Sequence, residues 1–140
     1  MDTQNSNTGT KKLQRKHVDI YCDGSCTGNP GIGGWGTILV YNNHEKCLHG
    51  CNHNTTNNQM EITAVIEGLK ALKESCDVTV YTDSQYVVNT MTKGWKRNKN
   101  LDLWKVLDSL IKQHVVSFVW VKGHNGHTYN ERCDKLARMR

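Results

Sequence analysis

Four acidic residues stand where a carboxylate could do chemistry: Asp23 in YCDGSCTGNPG, Glu61 in NNQMEITAVIEGLKAL, Asp83 in YTDSQYV and Asp134 in NERCDKLAR. Carboxylates gathered in one crevice repel unless a cation sits among them, so the chemistry such a set offers is divalent metal binding. Each acid also has an ordinary reading. Asp23 beside Gly24 suits a chain reversal, Glu61 suits a capping partner of Asn58, and Asp134 between basic neighbours suits a solvated helix face. The position of Glu61 is less ordinary: at about 100° per residue it falls at the edge of the stripe formed by Val65 and Leu72, whereas Glu67 points away.

These acids matter only if the fold brings them together. HVDIYCD alternates as a half-buried strand and ends on Asp23. A turn at GNPGIGG leads to a second strand in GWGTILVYNN, and KCLHGCNHN is a third, which makes an antiparallel meander. Ile62, Val65, Ile66, Leu69 and Leu72 recur at helical spacing over residues 57–74. DVTVYTD is a fourth strand ending on Asp83; SQYVVNTMTKGW begins as a short helix and NLDLWKVLDSLIKQ is an amphipathic one. VSFVWV and YNERCDKLARMR supply a fifth strand and a last helix. Strand and helix alternating after a meander predicts an α/β fold with a five-stranded mixed sheet, two right-handed parallel crossovers and flanking helices. If the first and fourth strands are parallel neighbours, their carboxyl ends place Asp23 and Asp83 in one crevice.

Composition bounds the partners. The 140 residues fit one domain, expected over 16–140, preceded by a polar, disordered tail over 1–15. The net charge of +5, concentrated in KKLQRKH, KGWKRNK and the C-terminal helix, suits a polyanion. Six cysteines without a CxxC spacing or a secretory signal read as free thiols in a reducing compartment, so a cytoplasmic location is expected, with nucleus and nucleoid left open. Cys22/Cys26 and Cys47/Cys51, with histidines nearby, leave zinc as an alternative. No apolar run is long enough to span a bilayer, and no membrane partner is expected. Trp104 and Trp120 sit inside patterned elements and read as core.

YCDGSCTGNPG, TTNNQMEITAVIEGLKAL, YTDSQYV, LDLW and WVKGHNGHTYNERCDKLAR together resemble ribonuclease H of type 1, over about residues 16–140. The resemblance implies a ribonuclease H-like fold and a metal-dependent endonuclease that hydrolyses the RNA strand of RNA–DNA hybrids, leaving a 5′ phosphate and a 3′ hydroxyl. It makes Asp23, Glu61, Asp83 and Asp134 the ligands of two Mg²⁺ ions, with Mn²⁺ as the substitute, and His124 an aid to proton transfer or product release. Without the family, His124 in its Gly-rich loop reads as a turn residue.

The resemblance also assigns substrate contacts. Asn29, Asn57, Asn58 and Gln85 correspond to positions that touch 2′-hydroxyls across the hybrid's minor groove, with Cys26 in the same loop. Thr56 and Asn100 correspond to a pocket for one DNA phosphate. Many members insert an extra helix and a lysine-rich handle after this point; here only VVNTMTKGWKRNKN stands between Tyr86 and Leu101, so Lys93, Lys96, Arg97 and Lys99 are what remains of its charge. A monomer is expected. Two other classes stay open: a non-catalytic nucleic-acid-binding module with the same fold, and a zinc-dependent structural protein.

Overall fold

Apolar side chains at alternate positions make β1 (His17–Gly28), which buries Val18, Ile20 and Cys22 on one face. In the computed structural model, which describes residues 14–122 and 128–139, this strand lies at the centre of a five-stranded sheet. β2 (Gly31–Tyr41) returns antiparallel beside it, and β3 (His44–Thr55) carries the meander to one edge. On the other side β4 (Asp77–Thr82) runs parallel to β1, and β5 (Val115–Trp120) runs parallel to β4 at the opposite edge. The order β3-β2-β1-β4-β5 is the mixed sheet expected from the sequence. The helices of the described residues are α1 (Asn57–Lys70), α2 (Gln85–Lys93), α3 (Leu101–Ile111) and α4 (Thr128–Ala137).

Two faces of the sheet are covered differently. On one, Ile62, Val65 and Leu69 of α1 join Ile20, Val78, Val80, Trp104 and Leu107 in a core from which solvent is essentially absent. Each such side chain contributes about 1.5–3 kcal/mol of hydrophobic stabilisation. On the other, α4 lies directly on the backbone of β2, because a Cβ at Gly34 or Gly36 would run into the main chain of Ala137 or Cys133. The Cys133 thiol donates to the Tyr21 carbonyl at 3.2 Å. Close seating of α4 on the sheet is what carries Asp134, the next residue, toward β1.

The structure corrects four expectations. β1 does not end at Asp23: only its pairing with β4 ends there, after Cys22 opposite Thr82, while the antiparallel hairpin with β2 keeps the chain extended to Gly28. Glu61 is not a capping partner of Asn58. Thr56 is the N-cap of α1, its hydroxyl accepting from Gln59 N at 3.1 Å, while the Gln59 side chain accepts from Thr56 N at 3.2 Å. α1 stops at Lys70 rather than continuing to 74. Ala71 and Leu72 N–H bond three residues back, and the chain is then tied to the start of β1 through Lys16–Glu74 (2.8 Å) and Arg15–Ser75 (3.0 Å). Finally, Trp104 is core but Trp120 is 44% exposed, because β5 is an edge strand.

Candidate active site

Because β1 and β4 are parallel and in register, Asp23 and Asp83 each follow the last residue that pairs the two strands, Cys22 and Thr82. α1 brings Glu61 over the same point from one face, and α4 brings Asp134 from the other. Carboxylate oxygens of Asp23, Glu61 and Asp83 lie within 4.8 Å of one another. Asp23, Asp83, Asn130 and Asp134, with Glu131 and Lys135, line one pocket of about 360 Å³. All four acids singled out in the sequence therefore meet at one place.

Burial makes this an unusual electrostatic site. Asp23 and Glu61 are both buried. Desolvation first, then the charges of Asp83 and Asp134 and a hydrogen bond with Asp134, push the Asp23 carboxyl up to about 8. Desolvation and the charges of Asp23 and Asp83 likewise raise Glu61 well above the usual carboxylate range, against the pull of one backbone donor. That donor is Gly24 N–H, 2.8 Å from Glu61 Oε1. A Cβ at Gly24 would stand 2.5 Å from the backbone at Met60 and Glu61, so only glycine lets β1 and α1 approach closely enough for this bond. Asp134 also accepts from Arg138 Nε at 3.3 Å.

The donor set fits hard divalent cations: oxygens only, several of them anionic, and more negative charge than the buried site sustains alone. A further sign of fit is Asn130, buried on α4 in the same pocket, whose Oδ1 has no hydrogen-bond partner among the described residues. Asn130 does not stand out in the sequence, since an asparagine in a charged helix carries no pattern of its own. Trp120 is likewise not legible there in this role: its Nε1 donates to the Asp83 carbonyl at 3.1 Å and steadies the turn that presents the acid.

The expected substrate-contact residues form a second group around the start of α1. Asn29, beside the cis Asn29–Pro30 bond of the β1–β2 turn, accepts through Oδ1 from Asn57 N at 3.0 Å, which ties the turn to the helix. Asn57 and Asn58 are exposed in the first turn of α1, and Gln85 is exposed at the start of α2, two residues past Asp83. The Cys26 thiol donates to the Thr55 carbonyl (3.3 Å), and the Thr56 hydroxyl accepts from Gln59 N in the helix cap. Gln59 links this group to the α2–α3 corner, donating through Nε2 to Asn100 Oδ1 at 3.2 Å, while Asn100 Nδ2 donates to Tyr86 Oη at 3.0 Å. A cleft of about 640 Å³ opens there between Asn52, Thr55, Gln59, Lys99 and Asn100. It is larger than the acid pocket but lacks its cluster of carboxylates.

Of the four cations at the corner, Lys93, Lys96 and Lys99 are exposed. Arg97 is turned inward instead. Its guanidinium makes a bidentate pair with Asp108 (2.6 and 3.2 Å) and lies over the Trp104 ring, 5.3 Å from its centroid. His124 lies outside the described residues.

Comparison with known proteins gives the family of the chain. The RNase H family model matches residues 15–140. The chain is 57% identical over 133 residues to ribonuclease H of Neisseria meningitidis serogroup C, covering 86% of this chain and 92% of that one. It is 54% identical over 138 residues to ribonuclease H of Bartonella tribocorum, covering 89% of each. Among solved structures it is similar to LC9-RNase H1, a type 1 RNase H with the type 2 active-site motif (TM-score 0.78, 32% identity, 88% of this chain and 71% of that one). It is also similar to LC11-RNase H1, solved in complex with RNA/DNA hybrid (TM-score 0.72, 25% identity, 86% and 93%). With the fold, nearly the whole length and more than half of the residues shared with such relatives, the chain belongs to the ribonuclease H family of hydrolases.

Proposed function

We propose that this protein is an endonuclease that hydrolyses the RNA strand of RNA–DNA hybrids, leaving a 5′ phosphate and a 3′ hydroxyl. The observation that carries the reading is the convergence of Asp23, Glu61 and Asp83 oxygens within 4.8 Å, with Asp134 in the same pocket. These four residues would hold two Mg²⁺ ions, or Mn²⁺ in their place. When bound, the ions activate water and stabilise the leaving 3′ oxygen. Asp23, flanked by the other acids, would supply the central negative charge of the site. Glu61 and Asp83 would help hold metal that stabilises the leaving oxygen, and Asp134 metal that activates water.

The chain's remaining residues choose the substrate. Asn29, Asn57, Asn58 and Gln85 present amides, with the Cys26 thiol nearby, suited to 2′-hydroxyls in a wide minor groove. Thr56 and Asn100 hold one phosphate of the DNA strand, and Lys93, Lys96 and Lys99 add charge along it. The similarity to a protein solved with RNA/DNA hybrid supports this partner. His124 assists proton transfer or product release without being indispensable, so His124→Ala slows turnover and does not abolish it. Among the described residues no helix is long and apolar enough to cross a membrane.

The test is incubation of one labelled RNA strand alone, in an RNA duplex and in an RNA–DNA hybrid, with and without Mg²⁺. Cleavage of the RNA only in the hybrid, and only with the metal, is the expected result. Equal cutting of all three substrates would overturn the substrate assignment.

A further inference from the structure

β3 is an edge strand, and one face of it carries a ladder of soft ligands unrelated to the acid pocket. Cys47, His49 and Cys51 stand at alternate positions opposite Ile38, Gly36 and Gly34 of β2, within a stretch of continuous register. All three therefore point to one face, the one on which α4 lies, and all three are exposed. Arg132 of α4 marks that face: its Nη2 is 3.6 Å from Cys47 Sγ and 2.8 Å from Glu45 Oε1, which sits two residues earlier.

One chain cannot close a metal site with these residues. Alternate Cα atoms of a strand are about 6.6 Å apart and Cys47 and Cys51 about 13 Å apart, whereas both sulfurs of a zinc site lie about 2.3 Å from the ion. Consistently, among the described residues only Asp23, Glu61 and Asp83 bring three ligand atoms together. The same separation forbids a disulfide between Cys47 and Cys51 within the chain.

The ladder is, however, symmetric about His49. Antiparallel pairing of β3 with β3 of a second copy, on a two-fold axis midway between the two His49 residues, sets Cys47 opposite the partner's Cys51 twice over. On the other face Lys46 then meets the partner's Asn52 and Leu48 the partner's Gly50, so no like charges oppose one another between 46 and 52. Opposed Cβ atoms in such a ladder are about 4.5–5.5 Å apart. That exceeds the mean of about 3.8 Å for a disulfide and suits two thiolates sharing one tetrahedral ion. β3 is also long and paired in continuous register on its inner side from His44 to Asn52, and the open side of an edge strand is a template for another strand.

We propose that β3 is a zinc-dependent dimerisation edge. Each dimer takes two ions, each held by Cys47 of one chain, the partner's Cys51 and one His49, with solvent in the fourth position. Arg132 gives the Cys47 sulfur an N–H donor that persists when it is a metal thiolate.

Sedimentation of the full chain, in Mg²⁺ and a phosphine reductant, is measured before and after one equivalent of Zn²⁺. A monomer that becomes a chelator-reversible dimer with one zinc per chain is the expected result, as are a thiolate charge-transfer band and a tetrahedral spectrum with Co²⁺. Cys47→Ser/Cys51→Ser should abolish the transition, and His49→Ala should weaken it at least about tenfold, since it removes one of three protein ligands. All three positions are exposed, and circular dichroism verifies that each variant is folded. Three outcomes would each overturn the proposal: zinc bound by a chain that stays monomeric, a dimer that forms equally in the double variant, or a dimer that forms only under oxidant and resists chelator.

Discussion

The carboxyl end of the β1–β4 pair and the corner between α2 and α3 are both charged, but the fold treats their charges in opposite ways. At the first, Asp23 and Glu61 are buried beside Asp83, and their packing raises the cost of ionising them. At the second, Lys93, Lys96 and Lys99 stand in water, and Arg97 is already paired with Asp108. A buried like-charge cluster is a stored demand for a counter-ion. Exposed cations demand nothing and act only at a distance, screened by salt. Catalysis should therefore depend steeply on single residues at the first region, and binding should depend gradually on several residues at the second.

The sharpest way to break this contrast is Asp23→Asn. It keeps the shape of the side chain and removes the central charge, so turnover should fall to about a thousandth or less. Near-normal turnover in a folded variant would end the assignment of Asp23. The same substitution should stabilise the metal-free fold. Asp23 binds its proton up to about pH 8 in the folded state against an ordinary value of 3.8. The folded state thus holds a proton that the unfolded state has lost, so this contribution is full below about pH 4 and disappears as pH rises toward 8. Stability of metal-free wild type should decline across that window, by at most about 1.4 kcal/mol per pH unit from this one group. Asp23→Asn should lack that part of the decline, and thermal melts at pH 5 and pH 8 measure the difference.

At the second region, Lys93→Ala/Lys96→Ala/Lys99→Ala should raise KM severalfold with a smaller effect on kcat. For every phosphate left without its cation, the dependence of log K on log salt should flatten by about 0.9. An unchanged salt slope would locate the grip elsewhere. The smallest expected effect separates Arg97 from its neighbours. Because its side chain serves Asp108 and Trp104, Arg97→Ala should cost about 1 kcal/mol of stability after allowance for solvent screening. The salt slope should stay as in wild type, and chemical denaturation with binding isotherms distinguishes the two effects.

The same contrast explains what could be read in the sequence. Strand and helix periods locate the sheet, and parallel β1 and β4 with an acid just past the last pair make the crevice legible from Asp23 and Asp83 alone. Glu61 is suspect because it lies on the wrong side of its helix, and it is indeed buried against Gly24. Asp134 cannot be distinguished from a surface acid, because its placement depends on α4 lying on Gly34 and Gly36, a contact between distant segments. Long-range hydrogen bonds are equally invisible: Trp120 to Asp83, Gln59 to Asn100, and Arg97 to Asp108, which removes one cation from a loop that reads as uniformly basic. The Thr56–Gln59 capping box is present as a pattern but competes with Asn58 and Glu61 three residues apart, and only the backbone of α1 decides between them.

The central claim is that the fold holds its acids partly protonated until divalent ions arrive, and proton release tests it most directly. Metal-free protein at pH 7, without buffer, is titrated with Mg²⁺ while the base needed to hold the pH is recorded. With Asp23 at about 8, filling the site should release about one proton per chain from this residue, with any further release coming from Glu61. The Asp23 share of the release should shrink toward zero above pH 9 and be absent in Asp23→Asn. Saturation with Mg²⁺ at pH 7 without proton release, or with the same release in Asp23→Asn, would contradict the account.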